Sequence, residues 1–213
     1  MLLLRGLLGF SALSLYMEVV THIPLANASM VSKLHPLFTA LFSALFLGEE
    51  LKARQLVAIA VALLGVAIMA QPQADAIDVD QMWWYGGALL AGIGSAAAYT
   101  TIRALALLGE EQWMMIAVFP AVSIPLSILL GWGGFVAPTG RQWAWLLFLS
   151  LATQAGQIGL NAGLKALPAA KATTLSFSGV VFGAIWGVML GDRVPRANDY
   201  MGLVAIVVAL AVQ

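Results

Sequence analysis

Cysteine is absent from the chain, which excludes disulfides, thiolate metal sites and a cysteine nucleophile. Charge is scarce as well: Asp, Glu, Lys and Arg together make up 9% of the residues, where an ordinary soluble domain carries about a quarter. The net charge is zero, which argues against a nucleic-acid partner. Only two histidines occur, His22 and His35, and neither has metal-ligand companions around it. HExxH, GxSxG and phosphate-loop motifs are all missing, so the chain is read as a non-enzyme with no cofactor and no metal. Strand-type alternation of polar and apolar residues is also missing, which leaves helices as the default.

What fills the chain instead is apolar: 62% hydrophobic residues and a mean hydropathy of +0.94. Too little polar surface remains to cover a soluble globule, so the reading is an all-α integral membrane protein embedded in a lipid bilayer. A span needs about 20 apolar residues. Eight such stretches are legible, at 2–20, 25–47, 55–70, 82–108, 113–136, 143–167, 169–190 and from about 195 onward. The fifth is expected to be broken by Pro120 and Pro125. The opening stretch is too long and apolar for a signal peptide and lacks a small-residue cleavage site.

Basic residues set the orientation. Arg5, Lys52, Arg54, Arg103, Lys165 and Lys171 fall on one face and Arg141, Arg193 and Arg196 on the other, which favours the first face, and with it both termini, as cytoplasmic. The expected location is the inner (plasma) membrane. Residues 72–81 then form an extracytoplasmic linker bearing Asp75, Asp78 and Asp80.

One segment occurs twice. His22 to Glu50 begins with proline and small residues, runs apolar and stops at Gly48-Glu49; residues 166–194 repeat that plan, with Pro24 matching Pro168 and Phe38 matching Phe182 at a spacing of 144, less one residue before the closing glycine. Between the copies the chain crosses an odd number of times, so the second copy is inverted. Inverted repeats characterise many secondary transporters, with the solute site near the midplane between them. The division is a three-helix partial repeat at 1–71 and a five-helix repeat at 82–213, that is, eight helices from a truncated ten-helix (5+5) inverted-repeat fold. The first helix pair is expected either upstream of an internal start, or lost, or supplied by a partner or a second copy in a homodimer.

Leu4-Arg5-Gly6, Ile23-Pro24-Leu25-Ala26-Asn27-Ala28, His35-Pro36-Leu37-Phe38, Leu47-Gly48-Glu49, Tyr99-Thr100-Thr101-Ile102-Arg103 and Leu190-Gly191-Asp192 together resemble the EamA family of the drug/metabolite transporter superfamily over essentially the whole chain. The resemblance implies a two-repeat, ten-helix fold that moves small organic solutes by alternating access.

Candidate site residues are the polar groups inside spans. Glu18 is a carboxylate in an apolar stretch, on a stripe with Ser11, Ser14 and His22, and reads either as a proton or cation-solute site or as a solvated interface residue. His35 shares a face with Ser32, Thr39 and Ser43; it either binds an anionic or zwitterionic solute or bonds to backbone at the Pro36 kink. Lys33 is expected to snorkel outward. Pro36 and its counterpart Gly179 both weaken their helices and are candidate break or gating positions. Gln154, Gln157 and Asn161 form one amide stripe, and Ser95, Tyr99 and Arg103 another, with Arg103 as a topology anchor. The reading is a secondary transporter of small polar metabolites, export being the expected direction, with Glu18, His35, Tyr99, Gln154, Gln157 and Asn161 on the solute site. The rival is a transport-incompetent paralogue acting as a membrane partner subunit.

Overall fold

The computed structural model describes residues 1–23, 25–70, 82–134, 136–189 and 197–212. The linker at 72–81, Pro24 and the Leu190-Gly191-Asp192 motif lie outside them. Among the described residues the fold is all helical, with eight rods, two of them broken. They comprise α1 (Leu2–Val19), α2 (Leu25–Ser32) and α3 (His35–Leu47) as two halves of one rod, α4 (Ala53–Ala70), α5 (Met82–Leu107), α6 (Gln112–Gly131), α7 (Gly140–Ala166), the second broken pair α8 (Ala169–Leu175) and α9 (Ser178–Met189), and α10 (Ala197–Val212). Among the described residues four stretches are long and apolar enough to cross a membrane: Leu2–Val19, Asn27–Leu47, Met82–Leu107 and Gln112–Gly131.

The expected break in the fifth span does not occur. α6 runs through Pro120 and Pro125 without interruption. A proline removes one donor but leaves a membrane helix intact where the freed carbonyl finds another partner.

Both actual breaks fall in the twinned segment. The first lies at Lys33-Leu34, where Leu34 N–H donates to the Val31 carbonyl three residues back (3.1 Å). The second lies at Ser176-Phe177, with the same short pattern from Phe177 N–H to Thr174 O (3.0 Å). Pro36 and Gly179 are each the second residue of the half-helix that follows its break. Since α2 has eight residues and α8 seven, the one-residue slip lies before the break, and Phe38 and Phe182 stand one position out of register.

Small residues let the rods approach closely. A Cβ on Gly65 of α4 would lie 2.7 Å from the Gly202 carbonyl of α10. A Cβ on Gly92 of α5 would lie 3.2 Å from the carbonyl of Ser32, the last residue before the first break. Along α5, Ala88 packs with Val19, Ile23 and Ala28 at one end, and Ile102 and Leu105 pack with Met115, Leu164, Ala169 and Ala172 at the other. The polar middle of α5 lies between these two apolar seals.

Candidate functional site

That middle faces a cavity of about 230 Å³, just below the usual range of about 300–1,000 Å³ for small-molecule pockets. Its walls come from five rods: Arg5, Gly9, Ala12, Leu13 and Tyr16 of α1; Ser32, Lys33 and His35 at the first break; Ala91, Ser95, Ala98 and Tyr99 of α5; Phe119 of α6; and Gln157 of α7. On α5, Ser95 stands seven residues from Ala88 and seven from Ile102, about 10 Å from each at 1.5 Å per residue, so the cavity sits near mid-height.

The first break is built by Pro36. Without an N–H, Pro36 cannot bond the carbonyl four residues earlier, that of Ser32. His35 fills the vacancy: its Nδ1 lies 3.2 Å from Ser32 O, and because a carbonyl only accepts, Nδ1 carries a proton. The other ring nitrogen, Nε2, lies 3.5 Å from Ser176 Oγ. The ring stands edge-on to Tyr99, with centroids 5.3 Å apart. One imidazole thus supports the first break, touches the second and lines the cavity. The half-helix α2 is pinned by Tyr16 OH with Ser29 Oγ (2.9 Å) and by Asn27 Nδ2 donating to Tyr85 OH (2.7 Å).

Arg5 is 3% exposed. Its Nη2 donates to Gln157 Oε1 (3.2 Å), and its guanidinium carbon lies 5.0 Å from the centre of the Phe119 ring. Its Nε is buried and has no hydrogen-bond partner among the described residues. Gly9 leaves room above it, since a Cβ there would come within 2.8 Å of Arg5 Nη1. Among the described residues no carboxylate lines this cavity.

A second polar cluster sits at the level of the Ile102–Leu105 seal. Arg103 Nε donates to Glu49 Oε1 at 2.7 Å, and both side chains are only 13% exposed. Arg103 Nη1 donates to the carbonyls of Leu164 and Lys165, each at 3.1 Å. Glu49 Oε2 accepts from the Ala169 N–H at the start of α8 (2.8 Å). This clamp joins the end of α3, α5, the end of α7 and the start of the second broken rod.

Of the residues singled out in the sequence, His35, Tyr99 and Gln157 come together on the cavity wall. Asn161 is fully buried one turn away, its Nδ2 donating to the Gln157 carbonyl (2.8 Å), while its Oδ1 has no partner among the described residues. Gln154 is exposed, like every residue of α7 from 140 to 156. Glu18 is exposed near the end of α1, 3.9 Å from His22 Nδ1, and His22 stacks on Trp84 at 3.6 Å. Gly179 is exposed with open space around it. Lys33, expected to snorkel outward, and Arg5, counted only for orientation, both line the cavity. The signal for Arg5 was the small pair Gly9 and Ala12 on its own helical face, at i+4 and i+7.

Residues 1–71 and 82–212 match the EamA-like transporter family. The pseudopaline exporter CntI of Pseudomonas aeruginosa is 34% identical over 98% of this chain and 72% of its own length. The S-adenosylmethionine uptake transporter of Rickettsia felis is 25% identical over 97% of this chain and 69% of its own. A crystal structure superposes on 99% of this chain and 75% of that one with a TM-score of 0.84 at 21% identity, which places the fold.

Proposed function

The chain belongs to the EamA-like transporter family, and on that premise we propose that it is a secondary transporter that carries small polar organic metabolites across the plasma membrane by alternating access, with export as its direction. The observation that carries this reading is the polar cavity held at mid-height between two apolar seals, beside the point where two broken rods meet. A broken rod bends at its break at little cost, because the helical bonds there are already missing. His35 bridges the breaks, so a solute resting on His35, Tyr99 and Gln157 is in position to bias both.

In this reading residues 1–71 and 82–213 are two inverted repeats, and their rocking exposes the cavity to either side. The Arg103–Glu49 clamp closes the cytoplasmic end. Opening that end separates Glu49 from Arg103 or from the Ala169 N–H, and a bound solute supplies the compensating free energy by preferring the rearranged state.

The test is counterflow in proteoliposomes without ATP, using labelled polar metabolites that include pseudopaline and S-adenosylmethionine, the solutes named for two relatives. Saturable exchange of at least one solute, reduced at least tenfold by Tyr99→Phe combined with Gln157→Leu, is the expected result. A well-folded protein that exchanges none of them would instead support the partner-subunit reading.

A further inference from the structure

Two cations, Arg5 and Lys33, line the cavity, and among the described residues no carboxylate does. Neither cation forms an ion pair among the described residues. An ion in the low-dielectric interior of a membrane protein is costly unless it is paired and its hydrogen bonds are met. Arg5 is the clearer case. It is 3% exposed, its guanidinium holds one hydrogen bond to the neutral amide of Gln157, and its Nε is buried with none among the described residues. Phe119 offers a ring face at 5.0 Å, which offsets part of the charge but satisfies no N–H. A guanidinium presents its donors as a planar fork, and the group that matches that fork is an oxyanion, a carboxylate or a phosphate. Gly9 lets the guanidinium lie against α1, since a Cβ there would come within 2.8 Å of Nη1.

We propose that the cavity is selective for anionic metabolites, with a carboxylate or phosphate group of the solute on the free edge of Arg5 and the Lys33 ammonium as a second, less directional positive charge. This narrows the transport reading given above and rests on it for its biological meaning. With two cations and no carboxylate on its walls, the site favours solutes with more negative than positive charges and disfavours cations.

Thermal unfolding of the full chain in nanodiscs of phosphatidylcholine tests this with citrate, inorganic phosphate, glucose and putrescine. Citrate or phosphate should raise the midpoint in a saturable way, and glucose and putrescine should not. Arg5→Gln should weaken the effective anion at least tenfold and Lys33→Gln several-fold, while Arg5→Lys should retain part of the effect. If Arg5→Gln fails to fold, Arg5→Lys and the anion-over-cation preference of the unaltered protein carry the test. Stabilisation by putrescine or glucose alone, by none of the four, or equally in Arg5→Gln and the unaltered protein overturns the proposal. Loss of the citrate effect when phosphatidylglycerol is added also overturns it, by assigning the site to a lipid headgroup. Anion binding without counterflow sinks the transport reading alone; counterflow of an uncharged solute without anion binding sinks this inference alone.

Discussion

Arg5 and Arg103 are both sunk among helices, yet they are held in opposite ways. Arg103 has a carboxylate at 2.7 Å and two backbone carbonyls at 3.1 Å, and Glu49 is itself satisfied by the Ala169 N–H. Arg5 has one amide oxygen and an aromatic face. A charge whose partners all come from the chain is part of the structure, and removing either member strands the other. A charge left short of partners adds little to the empty protein and is available to something that arrives. The two sites stand four residues apart on α5, whose Tyr99 lines the cavity and whose Arg103 makes the clamp.

The largest effect should follow from stranding the matched arginine. Glu49→Gln leaves Arg103 without its counter-charge and should destabilise the protein by about 3 kcal/mol, read as a lowered unfolding midpoint in detergent; Arg103→Gln added to it should recover part of that loss. Arg103→Lys keeps the charge but loses the fork that reaches two carbonyls and a carboxylate together, and should cost about 1–2 kcal/mol. At the unmatched site Gln157→Leu removes the one hydrogen bond of the Arg5 guanidinium and should cost about 1 kcal/mol. Arg5→Met should leave the ligand-free midpoint within about 0.5 kcal/mol of the original or raise it; a drop as large as that of Glu49→Gln would erase the distinction between the two arginines. Smallest of all, Glu18→Gln breaks only an exposed 3.9 Å contact with His22 and should change stability by less than about 0.5 kcal/mol. The same variant assayed for counterflow decides whether Glu18 takes part in transport.

Span positions were legible because bilayer thickness imposes their length: 2–20, 82–108 and 143–167 were expected, and Leu2–Val19, Met82–Leu107 and Gly140–Ala166 are found. Rotation about each helix axis was not, because an apolar rod in lipid has no polar face to show which side turns inward. The stripe Ser11, Ser14, Glu18 and His22 read either as cavity wall or as solvated interface, whereas Arg5, Gly9, Ala12 and Tyr16 of α1 line the cavity. Arg5 was counted as an end-of-span anchor because it stands near the start of its helix; its reach into the cavity depends on what packs beside it. The amide stripe on α7 was sound as a stripe, but the helix sinks into the bundle along its length, so Gln154 is exposed, Gln157 lines the cavity and Asn161 is buried. Pro36 pointed to the first break and missed its position by about half a turn, since a proline disturbs the carbonyl four residues before it. The contact between the two breaks, through His35 and Ser176, depends on residues 141 positions apart and has no local signature.

In the transport reading the crossing of α4 and α10 at Gly65 and Gly202 is a pivot. Each glycine lies against the other's main chain, with Met69, Ala205 and Ile206 packed around them, so a side chain on either would meet the facing carbonyl. In that reading, α4 of one repeat and α10 of the other turn about this crossing as the repeats rock.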